Sequence, residues 1–104
     1  MKKFESIASL IKACQSGEVK DKEKVYLKCY VITKKIHSTF MTFDAIDRTG
    51  NYYLHLVHAQ DDCKMDYNLI KNTRLNKTCA VSGEVKIMQG GVMMYVSSVD
   101  RCDK

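Results

Sequence analysis

The sequence predicts a single, mainly β domain: five strands closing a small barrel, with one helix ahead of them and another between the third and fourth. Three observations predict it. Residues 40–58, FMTFDAIDRTGNYYLHLVH, read as two strands joined through Asp47-Arg48-Thr49-Gly50, with apolar residues on both sides and turn chemistry in the middle. Residues 25–32, 78–88 and 92–99 alternate their side chains with the period of a half-buried strand. Helical spacing appears in residues 4–14 and again in residues 63–72.

A chain of 104 residues is one domain and buries roughly two thirds of the surface its unfolded form exposes. Hydrophobic residues at 45% with 28% charged make a globular composition rather than a disordered one. Seventeen Lys and Arg against 12 Asp and Glu leave a formal charge of +5, which favours acidic partners such as nucleic acid. No apolar run reaches the length of about 18 residues that a spanning helix needs, and Met1-Lys2-Lys3-Phe4 leads into no signal-peptide core. The expectation is an intracellular protein without a membrane partner.

The elements follow in order. Phe4, Ile7, Leu10, Ile11 and Cys14 share one face of an N-terminal helix, and Ser16-Gly17 stops it. That face either plugs one end of the core or binds a partner, through Leu10 and Ile11. A charged linker covers residues 18–24. The first strand turns Val25, Leu27, Cys29 and Val31 inward and Tyr26, Lys28, Tyr30 and Ile32 outward; Thr33-Lys34-Lys35-Ile36-His37 reads as a basic loop. After the central hairpin, Gln60-Asp61-Asp62 offers caps for a helix over residues 63–72 whose core contacts are Met65, Leu69 and Ile70. The fourth strand, residues 78–88, points Cys79, Val81, Gly83, Val85 and Ile87 inward. Gln89-Gly90-Gly91 is a short turn, and the fifth strand sets Val92, Met94 and Val96 against Met93, Tyr95 and Ser97. Residues 1–24 are thus helix and linker, and residues 25–99 the barrel.

Five cysteines without a CxxC pair form neither a disulfide framework nor a zinc ribbon, and they read as buried small hydrophobes. His55-x2-His58-x4-Cys63 fails as a metal site, because a strand points His55 and His58 to opposite faces. No metal or cofactor is expected. No catalytic constellation stands out either. Asp44 and Asp47 flank the strand-two turn, where Asp47 has a structural hydrogen-bonding role.

Strand, strand, strand, helix, strand, strand is the layout of the OB-fold, a five-stranded Greek-key barrel. The chain resembles OB-fold nucleic-acid-binding families over residues 25–99. The resemblance is carried by V-x-L-x-C-x-V from Val25, by Ala45-Ile46-Asp47-Arg48-Thr49-Gly50, by the strand from Tyr52 to His58, and by V-x-G-x-V around Gly83. It is similar to the anticodon-binding type of class II aminoacyl-tRNA synthetases, and equally to the middle subunit of replication protein A and its telomere-complex relatives. Such families commonly have Gly where this chain has Cys29, which implies a less sharply coiled first strand.

The resemblance implies a ligand surface across the second and third strands, flanked by the loops between strands one and two and between strands four and five. It implies single-stranded DNA or RNA as the ligand and protein partners in a hetero-oligomeric complex of replication, telomere or RNA processing. The implied location is nuclear rather than cytoplasmic. The residues expected to meet nucleic acid are Tyr26, Lys28, Tyr30, Lys34, Lys35, His37, Tyr53, His55, His58, Lys86 and Met88. Aromatic rings there would stack bases and lysines would hold phosphates, with His58 and Met88 at the places where relatives stack bases. OB barrels also serve purely as protein-binding modules, and on that alternative Leu10, Ile11, Met93 and Tyr95 form the docking surface.

Overall fold

A computed structural model describes residues 1–47, 52–61 and 64–102, with Arg101 by its backbone alone. Arg48, Thr49 and Gly50 of the expected turn, and Asp62 and Cys63 ahead of the second helix, lie outside the described residues. The elements are β1 (Lys2–Phe4), α1 (Ile7–Ser16), β2 (Lys24–Ile36), β3 (Phe40–Ile46), β4 (Tyr53–Ala59), α2 (Lys64–Asn72), β5 (Lys77–Met88) and β6 (Gly91–Cys102). Strands β2, β3, β4, β6 and β5 neighbour one another in that order, and β5 returns to β2 to close the barrel. Only the β4–β6 pairing is parallel within this ring. The fold is the expected OB-fold, a closed five-stranded barrel with one helix before it and one between its third and fourth strands.

Closure depends on β2 serving two sides. Its residues 24–31 pair with β5, and residues 30–36 pair with β3. Between these uses sits a bulge: Val31 stands opposite Ala45 and Thr33 opposite Asp44, so Ile32 has no counterpart. An extra residue inverts the alternation that follows it. Thr33 and Lys35 therefore join the outer surface, while Lys34 stands opposite the buried Phe43 and turns towards α2. This corrects the expectation of a loop from Thr33, since the strand runs on to Ile36 and the connection shrinks to residues 37–39. On the other side, Gly83 meets β6 at a second irregularity, and a Cβ built there would overlap the Tyr95 carbonyl oxygen.

The N-terminal helix starts later than its spacing suggested, because Phe4 belongs to β1, which lies parallel on residues 25–27 of β2. Ser6 is the N-cap, its hydroxyl accepting the Ser9 N–H at 3.2 Å. Asp47, at the end of β3, accepts the N–H groups of Ile7 and Ala8 (2.9 Å for Ala8), so a barrel carboxylate anchors the helix N-terminus. Gly17 ends α1 in the left-handed conformation at φ 84°. Ile7, Leu10, Ala13 and Cys14 enter the core with Leu27, Phe43, Leu54, Leu56 and Met94. Burial of a side chain the size of Leu or Phe contributes about 1.5–3 kcal/mol. Leu10 is fully buried beside Ile7 on that inner face, so it is core rather than the docking residue proposed from sequence.

Helix α2 is turned differently from its apolar spacing. Tyr67 and Ile70 are buried, whereas Met65 is 83% and Leu69 41% exposed. Two tethers set this rotation. Asp66 accepts the Val99 N–H at 2.9 Å, and the Lys34 ammonium, turned inward by the bulge, donates to the carbonyls of Ile70 and Lys71 at 3.0 Å each and to that of Thr73. A cation on the last carbonyls also complements the helix dipole. Under α2 lies His58, fully buried, its ring edge-on to Tyr67 at 5.7 Å and its Nδ1 2.9 Å from the Ala59 carbonyl oxygen. The alternation that sends Leu54 and Leu56 inward sends His58 with them, which removes it from the surface where it was expected to stack. Among the described residues, no helix is long and apolar enough to cross a membrane.

Candidate nucleic-acid interface

Cross-strand register lays the outer side chains in rows around the barrel. One row runs Thr33, Asp44, His55, Met93, Lys86 across β2, β3, β4, β6 and β5. A second runs Lys35, Thr42, Val57, Tyr95, Glu84 across the same strands. On the other side of the first row, Tyr30, Ile46 and Tyr53 stand abreast. Tyr53 is 57% and Tyr95 44% exposed, so both rings offer open faces.

Asp44 organises this surface. Its Oδ2 accepts the Thr33 hydroxyl at 2.7 Å, and its Oδ1 accepts the Tyr53 hydroxyl at 2.7 Å and lies 2.8 Å from His55 Nδ1. Burial works against the Asp44 charge, but the bonds from His55, Thr33 and Tyr53 together hold its carboxyl below the ordinary carboxylate value. The bond to Asp44 pushes the Tyr53 phenol above its ordinary value. The carboxylate thus pins two rings side by side. It also places negative charge mid-surface, so a phosphate is favoured at the flanks, near Lys35 and Lys86, rather than over Asp44.

Beside these rows opens a groove of about 680 Å³. Tyr53 and His55 form one wall, Ile87 to Met93 of the β5–β6 hairpin another, and Ile11, Cys14 and Gln15 of α1 the third. Residues assigned from sequence to two different partners therefore converge: Tyr53, His55 and Met88 share the groove with Ile11 and Met93. Tyr30, Lys35, Lys86 and Tyr95 lie in the adjoining rows.

Other expected residues stand apart. Tyr26 and Lys28 project where β2 meets β1 and β5. There Tyr26 Oη donates to Asp100 at 3.3 Å, Lys3 lies over its ring at 5.7 Å, and Lys28 pairs with Glu5 at 3.1 Å. Lys34 is spent on α2, and burial holds its ammonium below the ordinary lysine value. His37 sits at the β2–β3 tip, its ring stacked on Phe40 at 4.4 Å. Sequence reading missed Asp44 as a hub, Thr33, and the Phe40 ring. The signal for Asp44 was present: it falls on the outward parity of a strand whose Met41, Phe43 and Ala45 face the core.

Solved structures share this architecture. An asparaginyl-tRNA synthetase from Pyrococcus horikoshii aligns at 26% identity and a TM-score of 0.66, over 84% of this chain and 21% of that one. The S. pombe Stn1-Ten1 complex aligns at 13% identity and a TM-score of 0.63, over 74% and 56%. An OBody bound to hen egg-white lysozyme aligns at 13% identity and 0.67, over 81% and 82%. The chain thus spans about a fifth of the synthetase and just over half of the Stn1-Ten1 chain. No family model matches the chain and no curated protein is similar to it in sequence. The class defined by fold and comparison is the OB-fold barrel, with its groove walled by the third barrel strand and the hairpin between the last two.

Proposed function

We infer that the protein binds single-stranded nucleic acid in this groove and across the rows beside it, as a small subunit of a larger nuclear assembly acting on DNA or RNA. The observation that carries the reading is the convergence of Tyr53, His55, Met88 and Met93 on one groove, beside the open Tyr95 ring. Flat rings held by hydrogen bonds take up bases without reorganising, and each stacked base contributes about 1–3 kcal/mol. Lys35 and Lys86 at the two flanks supply the phosphate contacts. The likeness to Stn1-Ten1, a two-protein complex, and to a tRNA synthetase supports both the ligand class and the subunit role. Titration of a fluorescent 20-mer of unstructured DNA and of RNA, at low and moderate salt, tests it. Saturable binding that weakens in Tyr53→Ala is expected; absence of binding to either strand at low salt would overturn it.

A second reading has its own support. Lys28 and Lys34 are engaged within the protein, and the groove includes Ile11, Met88 and Met93, a lining suited to an apolar side chain of a protein partner. On this reading the barrel is an assembly module, as in the lysozyme-bound OBody. Lys35→Ala with Lys86→Ala then leaves partner capture intact, and Ile11→Asp abolishes it without unfolding the barrel.

A further inference from the structure

Three cysteines stand abreast on three strands. Cys29 is opposite Cys79 in the β2–β5 ladder, and Cys79 is opposite Cys102 in the β5–β6 ladder. The sulfurs of Cys79 and Cys102 make a thiol–thiol contact at 2.6 Å. Cross-strand register and side-chain direction thus bring this pair within bonding reach with little movement of either strand.

Their surroundings differ. Cys79 is fully buried, whereas Cys102 is half-buried and lines a surface groove of about 650 Å³ with Met65, Leu69, Asn72 and Arg74. A reagent arriving from solvent meets Cys102 first. The Arg74 guanidinium in the same groove favours an anionic reagent. Burial pushes the neighbouring Cys29 thiol up to about 12, with lesser contributions from Cys102 and Asp47, and it also raises the more distant Cys14. Neither of these two lines the groove at Cys102, and burial favours their protonated, less reactive form.

We propose that Cys79 and Cys102 form a redox modification site whose reagent is a low-molecular-weight disulfide of the glutathione type. The Cys102 thiolate attacks one sulfur of oxidised glutathione; that S–S bond breaks, and one glutathione thiolate leaves. Cys79, already in contact with Cys102 Sγ, then attacks that sulfur and passes its proton to the departing second glutathione sulfur as the Cys102–glutathione bond breaks. Two cysteine thiols lose two electrons and two protons, and one glutathione disulfide becomes two glutathione thiols. The product staples the C-terminal end of β6 to the start of β5 and encloses the hairpin that walls the candidate interface. In a reducing compartment the pair is open, and it closes on oxidative challenge. The inference does not depend on what occupies the interface groove.

The test treats the folded, reduced protein with oxidised glutathione, blocks remaining thiols without unfolding, and maps linkages by peptide mass. A Cys79–Cys102 link is expected, with Tm raised on the order of 10 °C and returned by dithiothreitol. The link should persist in Cys29→Ser and Cys14→Ser. Cys79→Ser should instead accumulate a glutathione adduct on Cys102. A link through Cys29 or Cys63, a stable glutathione adduct on the wild-type protein, or full retention of all thiols overturns the proposal, and the wild-type mapping alone decides among these.

Discussion

Asp44 and His55 face each other across the β3–β4 ladder with carboxylate and imidazole 2.8 Å apart, in the middle of the barrel's outer surface rather than at its edge. Tyr53 shares the same carboxylate oxygen, so one acid sets the position of both rings that line the groove.

Asp44 ties this surface to pH. Its hydrogen bonds place its folded carboxyl below the unfolded value, so the stability it contributes is fully present above the ordinary carboxylate range. That contribution disappears as pH falls through the lower folded value. Asp44→Asn removes this part of the acid limb. Urea melts from pH 7 down to pH 2.5 should show the wild-type protein losing more stability than the variant; equal slopes would show that the bonds contribute nothing to folding.

Lys34 and Lys35 are adjacent in sequence and separate in role. Lys34→Met leaves the α2 carbonyls without their cation and lowers stability by about 1–2 kcal/mol, while oligonucleotide affinity stays within about twofold. Lys35→Ala leaves Tm unchanged and weakens binding. With Lys35 and Lys86 as the phosphate contacts, the dependence of log affinity on log salt has a slope of about −1 to −2, and each lysine removed reduces it by about 0.7. Thermal melts and salt titrations on the same variants check both statements.

Tyr53 separates ring from hydroxyl. Tyr53→Ala weakens single-strand binding by about 5- to 100-fold, the range for loss of one stacked base. Tyr53→Phe keeps the ring and loses only the bond to Asp44, so affinity stays within about threefold. Fluorescence anisotropy with both variants distinguishes stacking from polar contact. Equal loss in the two would assign the role to the hydroxyl.

Gly83 is a packing requirement. Gly83→Ala places a methyl group into the Tyr95 carbonyl and separates β5 from β6, which costs about 2 kcal/mol or more. Chemical denaturation measures it, and a variant as stable as the wild type would show that the strands separate there at little cost.

Much of the molecule follows from local pattern. Alternation in residues 25–31, 40–46 and 53–59 identifies strands and their inward faces, and the order of strands and helices points to the barrel. These are readable because a side chain's face depends on its own position along a regular strand. Cys29, Leu54 and Leu56 lie inside for that reason, and so does His58, whose expected surface role conflicted with the same rule.

What the tertiary structure alone decided begins at Ile32. The bulge that skips it arises because one strand must pair with β5 and then with β3 around a closed ring, and no local propensity marks where that happens. It sends Lys34 to α2 and Lys35 outward, and Lys34 with Asp66 then fixes which side of α2 is buried. Asp47 likewise finds its partners in a helix some 40 residues away, and Ile11 joins Tyr53 and Met88 only because α1 docks beside the β5–β6 hairpin. Strand identity and core parity were therefore set by local sequence, whereas which lysines stay available and which residues share a groove were set by barrel closure, a constraint on the whole ring.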